Sequence, residues 1–289
     1  MKLAVFGHCA LDTININNSN YEQIGGSACY CSLTARQFKF DVDLFTKFGP
    51  DFPQQYLSEN KIHFVNSESK KNTTKFAISI IGSDRTLTLE NECESIEYSN
   101  VDSDGHIVSP IYHEISNDVF KNIKKNSNFL FVDPQGFLRQ KDTQNKIFLE
   151  KNDLDLSDIN AIKVNPEEAN HIVGGSNDQM MVALQKKGIE YVLLTNKTDV
   201  SLLVKDKIYS ITLPNKQIHD TTGIGDIFCS AFACTMLKEK DYLWALCFAG
   251  GAAQAALDSK NVGLQKIPQK GIIQTNASYF YNLIKFRDL

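Results

Sequence analysis

Asp220-Thr221-Thr222-Gly223-Ile224-Gly225-Asp226 runs directly into the apolar segment Ile227-Phe228-Cys229-Ser230-Ala231-Phe232. The pattern reads as a turn of small residues meeting the start of a buried helix. Gly223 and Gly225 can take backbone angles closed to other residues and let main-chain N–H groups approach an anion with no Cβ in the way. The first helical turn adds unpaired donors and the positive end of the dipole, so negative charge is favoured there. A carboxylate inside such a hole would repel a resting phosphate. Its chemical use is to take a proton from a hydroxyl that attacks the phosphorus. The plainer reading makes Asp220 a turn former and Asp226 an acidic residue of a first helical turn, both common. Two aspartates, two threonines and two glycines arriving together favour the chemical reading.

The stretch resembles the DTTGAGD signature of the ribokinase (PfkB) family of carbohydrate kinases, with Ile224 where alanine is common. The resemblance covers almost the whole chain. It implies Asp226 as catalytic base, the N–H groups of Gly223, Ile224 and Gly225 as the anion hole, and Asp220 and Thr222 shaping the turn at the phosphate donor. On the acceptor side it implies Asp12 hydrogen-bonding substrate hydroxyls and Gly25-Gly26 touching the sugar through their backbone. Tyr30 stands where the family often carries a polar residue, a departure that bears on substrate identity. The run Asp133-Pro134-Gln135-Gly136-Phe137-Leu138-Arg139 is similar to the short archaeal branch that includes inositol kinases, and sets Gln135 and Arg139 near substrate.

Asn165-Pro166-Glu167-Glu168 suits a helix start, with proline in the first turn and acidic residues after it. It also resembles the family's N-x-x-E motif, in which Asn165 and Glu168 would hold Mg2+ through its water shell. Thr195 keeps its place near the nucleotide, but the two glycines usual after it are missing, which weakens the case for ATP as donor. Residues 261–269, with Gly263 and Pro268 as turn signals, fall where the family wraps adenine. A monovalent cation near Asp220 and residues 259–263 is a further implication.

The elements that must position these residues follow from pattern. Apolar strands are expected at 3–7, 42–45, 62–65, 129–133, 161–164 and 191–195, separated by helical stretches such as 27–38 and 53–60. That order argues for an α/β fold: a ribokinase-like three-layer sandwich, its central sheet mostly parallel, with helices on both faces. Strand ends carrying Asp12 and Asp133 would then face the cleft at the carboxyl edge. Residues 15–23 are polar and without period, a loop or short hairpin. Alternating runs at 74–81 and 86–90 flank a glycine-containing turn. Together, about 12–24 and 74–98 are expected to form a small β lid that closes over the sugar. A hairpin at 200–213 leads to Asp220. Helices are expected after Asp226, over 244–256 and, amphipathic, over 276–285. One catalytic domain, 1–289, is the economical division.

The chain has 289 residues and a formal net charge of -4, with no long block of Lys or Arg. Nothing in that balance favours nucleic acid or an anionic membrane, and Lys70-Lys71 and Lys124-Lys125 read as solvated surface. No apolar run approaches the roughly 20 residues needed to span a bilayer, and the start reads as a buried strand rather than a signal peptide, so a cytoplasmic location is expected. The seven cysteines lack a framework spacing and suggest buried free thiols rather than disulfides or structural zinc. The expected activity is ATP-dependent transfer of the γ-phosphoryl to a hydroxyl of a sugar or cyclic polyol such as myo-inositol. A nucleoside kinase of the same family is the alternative, and a non-catalytic ligand-binding relative a second. A homodimer through the lid is also expected.

Overall fold

The first strand sets the layers. In a computed structural model, which describes residues 1–16, 19–81, 84–214 and 220–289, β1 (Lys2–Phe6) buries Leu3, Ala4, Val5 and Phe6 completely. Leu3 and Val5 join one apolar cluster, Ala4 and Phe6 another, so the strand is covered on both faces. Around it lies a ten-stranded sheet. On one side β1 pairs in parallel with β4 (Asp41–Phe45), which pairs with β5 (Ile62–Val65). On the other side follow β8 (Gly105–Val108), β9 (Leu130–Val132), β12 (Ala161–Val164) and β13 (Tyr191–Asn196), all parallel. Three antiparallel strands close this edge: β14 (Asp199–Val204), β15 (Lys207–Thr212) and β16 (Lys285–Asp288).

Helices α1 (Ser27–Gln37), α7 (Ile224–Glu239), α8 (Tyr242–Leu257) and α9 (Lys270–Tyr281) pack in the cluster of Leu3 and Val5. The opposite cluster holds α3 (Asn117–Lys125), α5 (Pro166–Ile172) and α6 (Asn177–Gln185). The result is the expected three-layer α/β sandwich. Shorter pieces are α2 (Gln55–Glu59), α4 (Gln135–Leu138) and the hairpin β10 (Arg139–Lys141) with β11 (Ile147–Leu149). All seven cysteines are free and buried.

A second, four-stranded sheet has the order β3 (Ser19–Gly25), β2 (Ala10–Ile16), β6 (Lys75–Ile81), β7 (Asp84–Asn91). Of residues 15–23, those described are strand and form the hairpin alternative: Asn15 pairs with Asn20 and Ile16 with Ser19. Asp12 accordingly sits within a strand of the small sheet, not at the carboxyl edge of the main one. The turn expected at Gly82-Ser83 lies outside the described residues. The last helix also differs: it begins at Lys270 and ends at Tyr281, and the remaining chain becomes β16, pairing with β15. Lys124, expected in solvent, is tucked against Asp155 with a side chain only 7% exposed.

Small residues let α8 and α9 approach closely. A Cβ on Gly251 would stand 2.8 Å from the carbonyl oxygen of Ile273 and 3.0 Å from the amide of Ala277, both α9 backbone. Gly251→Ala should therefore destabilise the fold by about 1–3 kcal/mol, seen as a lower urea midpoint at unchanged slope.

Candidate active site

Parallel strands ending at one edge deliver most of the site. Past the end of β8 comes Ser109, past β9 comes Asp133, and past β12 comes Asn165. The chain builds from β1 outward through β4 and β5, then returns to the other side of β1 with β8. Crevices at the carboxyl ends of strands open at such a reversal of order. Here Ser27 Oγ donates to the carbonyl of Ser109, tying the start of α1 to the end of β8. Gly26 precedes α1 with φ 82°, where a Cβ would lie 2.3 Å from the carbonyl oxygen of His8. Only glycine lets the chain turn there.

A cavity of about 270 Å³ occupies this crevice. Phe76, Ile78 and Leu87 of the small sheet, with Ile111, form its apolar part. The polar part includes Asp12, Tyr30, Gln135, Arg139, Lys163 and Asp226, with Asn165, Glu168, Thr222, Gly223 and Gly225. Asp12, Gly26, Gln135 and Arg139 are thus brought together with the glycine turn, as the sequence suggested. Gly25 follows alongside, its α-carbon facing the Asp12 carboxylate. Arg139 donates to Gln135 Oε1 at 2.7 Å and to the Ile111 carbonyl at 2.9 Å, and lies 5.7 Å from the Phe76 ring centre. The Tyr30 and Thr222 hydroxyls are buried without a hydrogen-bond partner among the described residues.

Gly223 starts α7 in the left-handed region, φ 75°, and a Cβ there would stand 2.5 Å from the Tyr30 ring. The N–H groups of Gly223 and Gly225 have no partner among the described residues, and both residues line the cavity at the N-terminus of α7. Ile224 differs from expectation: its N–H closes the turn on the Thr221 carbonyl, a long 3.3 Å bond. Asp226 follows in the first turn of α7, 8% exposed, and accepts a 3.2 Å bond from Ser109 Oγ. Burial, reinforced by the nearby Asp133 charge, lifts its pKa to about 7, against the opposing pull of Lys163, Ser109 and Arg139.

Asp226 has no ion pair among the described residues, and the nearby Lys163 ammonium is committed to other carboxylates. That ammonium is 2.7 Å from Asp133 Oδ2 and 4.0 Å from Glu168 Oε2. Burial opposes its charge, but the Asp133 and Glu168 carboxylates outweigh it and hold the pKa well above the ordinary value. Asn165 and Glu168 form a capping box at the start of α5: each side chain accepts the other's main-chain N–H at 2.8 Å. Among the described residues no group of three or more His, Cys, Asp or Glu can hold a metal directly. Glu168 Oε1 makes no hydrogen bond among them, and both residues line the cavity, so the pair fits a hydrated Mg2+ held through water.

Asp220 holds the turn from the other side. Its Oδ1 accepts from Thr222 N at 2.8 Å and its Oδ2 from Gly263 N at 3.1 Å. Lys266 Nζ lies 2.8 Å from Oδ2 and 3.0 Å from the Asp220 carbonyl oxygen. Burial would raise the Asp220 pKa, but Lys266 and Thr222 hold it below the usual range. These oxygens are where the resemblance implies a monovalent cation, and an ammonium already holds them. The donor set therefore does not fit a free ion. Gly263 lines a separate hollow with Tyr21, Gln23 and Tyr56, and Thr195 caps β13 with its hydroxyl 3.5 Å from the Val164 carbonyl; neither lines the central cavity. Sequence reading passed over Lys163, Ser109 and Lys266. A lone charge in the apolar strand Ala161-Ile162-Lys163-Val164 was a usable signal for the first; nothing local marks the other two.

The family model described as pfkB family carbohydrate kinase matches residues 2–270. No curated protein sequence matches significantly. Solved structures are similar in fold. A pyrophosphate-dependent kinase in the ribokinase family, complexed with a pyrophosphate analog and myo-inositol, is 18% identical over 95% of this chain and 99% of that one, TM-score 0.81. Arabidopsis thaliana ribokinase with ribose and ATP is 17% identical over 96% and 98%, TM-score 0.73. Methanocaldococcus jannaschii nucleoside kinase is 16% identical over 96% and 99%, TM-score 0.71.

The raised pKa of Asp226 has a stability consequence. An unfolded chain releases this proton near pH 3.8, the folded chain near 7, so the carboxyl costs folding free energy increasingly across that window and in full above it. At about 1.4 kcal/mol per unit the full cost is of order 4 kcal/mol at most. Asp226→Asn should therefore unfold at a higher temperature than the parent at pH 8, with the gain vanishing near pH 4 in calorimetric melts.

Proposed function

The chain belongs to the pfkB family of carbohydrate kinases, and from that premise we propose that it transfers a terminal phosphoryl group to a hydroxyl of a sugar or cyclic polyol, with Asp226 as general base. The observation that carries the reading is a buried carboxyl with a pKa near 7, set between a cavity and a helix N-terminus. A base is most useful with its pKa near working pH. The acceptor would lie under the small sheet, its hydroxyls meeting Asp12, Gln135 and Arg139, its ring against Ile78 and Leu87. Asp226 takes the proton from the attacking hydroxyl while the Gly223 and Gly225 amides and the α7 terminus receive the charge on the transferred group. Bound Mg2+, held through water by Asn165 and Glu168, would neutralise donor phosphate charge. Cyclic polyols such as myo-inositol are favoured over nucleosides because Arg139 already occupies the neighbourhood of the Phe76 ring, the aromatic face of the apolar wall. We take the small sheet as a lid, and a homodimer through it as part of the same reading.

ATP is the first candidate donor. Pyrophosphate is the second, favoured by one specific feature: after Thr195 and Asn196 the chain closes a two-residue turn, Lys197-Thr198, with Lys197 at φ 54°. A charged tight turn stands where a glycine loop would lie against a nucleotide.

Incubating the protein with Mg-ATP or Mg-pyrophosphate and a panel of myo-inositol, ribose, fructose, adenosine, guanosine and cytidine, followed by 31P NMR, tests acceptor and donor together. One strong acceptor is expected among the polyols and sugars; a preferred nucleoside would move the acceptor class, and binding of an acceptor without any transfer would favour a non-catalytic relative. With the active pair, kcat/KM should fall tenfold per pH unit below about 7 and level off above it, and Asp226→Asn should lower kcat by at least about 10³-fold.

A further inference from the structure

The support behind the anion-binding turn is unusual in being a side-chain ammonium. Lys266 sits on a short 3₁₀ turn, Gly263–Lys266, and its side chain is 0% exposed, as is all but 1% of the Asp220 carboxylate. The ammonium bridges two oxygens of one residue, main-chain carbonyl and carboxylate, and lies 5.9 Å from the Tyr30 ring centre. Asp220 is in turn bonded to Thr222 N and Gly263 N. One positive charge therefore fixes the residue from which the Thr221–Gly225 turn departs, and joins it to the 263–266 segment. The same ring of Tyr30 touches the place of the missing Cβ of Gly223.

We propose that Lys266 is a positioning residue that serves as a built-in monovalent cation for the anion-binding turn, so that phosphoryl transfer by this protein needs no free K+ or NH4+. The inference rests on the phosphoryl-transfer reading above. A free cation sharing these oxygens would be a second positive charge beside Nζ in a buried site, where like charges repel far more strongly than in water. One cation holds the site, and the chain supplies it.

Rates with the active donor and acceptor pair, measured at equal ionic strength in tetramethylammonium, sodium, potassium and ammonium chlorides, give the first test. The parent should agree within about twofold across the salts; a rise of tenfold or more in K+ or NH4+, about 1.4 kcal/mol, overturns the proposal. Lys266→Ala should lose about 10²-fold in kcat with acceptor KM little changed, and should recover saturably with methylammonium or K+. Lys266→Met, whose side chain fills the space, should not recover. Failure of every cation to restore folded Lys266→Ala also overturns it, since a merely structural lysine would give that result. Should Lys266→Ala fold poorly, thermal melts decide: methylammonium or K+ raises its midpoint and leaves the parent's unchanged, or the proposal fails. If the parent transfers no phosphoryl group at all, the function reading has failed, and the same melts still show whether Lys266 takes the place of a bound cation.

Discussion

Lys163 has one charge to give, and the site is organised by where it goes. Burying an ion is costly unless a well-placed partner offsets it, and Asp133, wholly buried and 2.7 Å away, takes that role. The pair joins the end of β9 to β12 and leaves Asp226 with a neighbouring negative charge and, among the described residues, no ion pair. Buried, and beside the Asp133 charge, the Asp226 carboxyl keeps its proton to near neutral pH despite the hydrogen bond from Ser109. Its basicity is thus set first by burial and then by a charge on a neighbouring strand end, Asp133, that Lys163 offsets only in part.

Packing couples the two halves of the crevice. The Tyr30 ring, carried by α1 from the Gly25-Gly26 corner, fills the space that any side chain on Gly223 would need. Ser230 Oγ donates to the Cys31 carbonyl at 2.7 Å, fastening α1 to α7 from within. The acceptor side, built on α1 and the small sheet, and the phosphate side, built on α7, share one wall, and neither can shift without the other. His8 adds to this at the root of the small sheet: with Nε2 donating to the Glu94 carbonyl, Nδ1 accepts from Thr74, at 2.9 Å each.

Much of this was legible beforehand because the relevant signals are local. The glycines and acids of 220–226 name their backbone geometry directly, and buried parallel strands announce themselves as apolar runs such as Leu130-Phe131-Val132. What stayed hidden depends on partners far away in sequence. Polarity left residues 15–23 open between a loop and a short hairpin; the β2–β3 pairing decides for the hairpin. Ser109 has meaning only because β8 lies beside β1 and opposite the start of α7, 117 residues apart from Asp226. Lys266 reads as one more surface lysine until the chain folds it under Asp220. Asn165 and Glu168 carry both of the meanings weighed for them, since the capping box that starts α5 is also what fixes their position at the cavity.

The seven free thiols bear on how this protein meets oxidants. Cys31 of α1 and Cys229 of α7 lie close to Asp226 and Asp133, Cys31 donating weakly to the Asp226 carbonyl and Cys229 to the Asp133 carboxylate. Burial first, then the carboxylates around them, push both thiols well above their ordinary pKa. Peroxides and disulfides react with thiolates rather than thiols. The sulfur packed behind the crevice is for that reason chemically quiet: the burial and negative field that raise the Asp226 pKa also keep Cys31 and Cys229 protonated, insulating the site from the redox state of its surroundings.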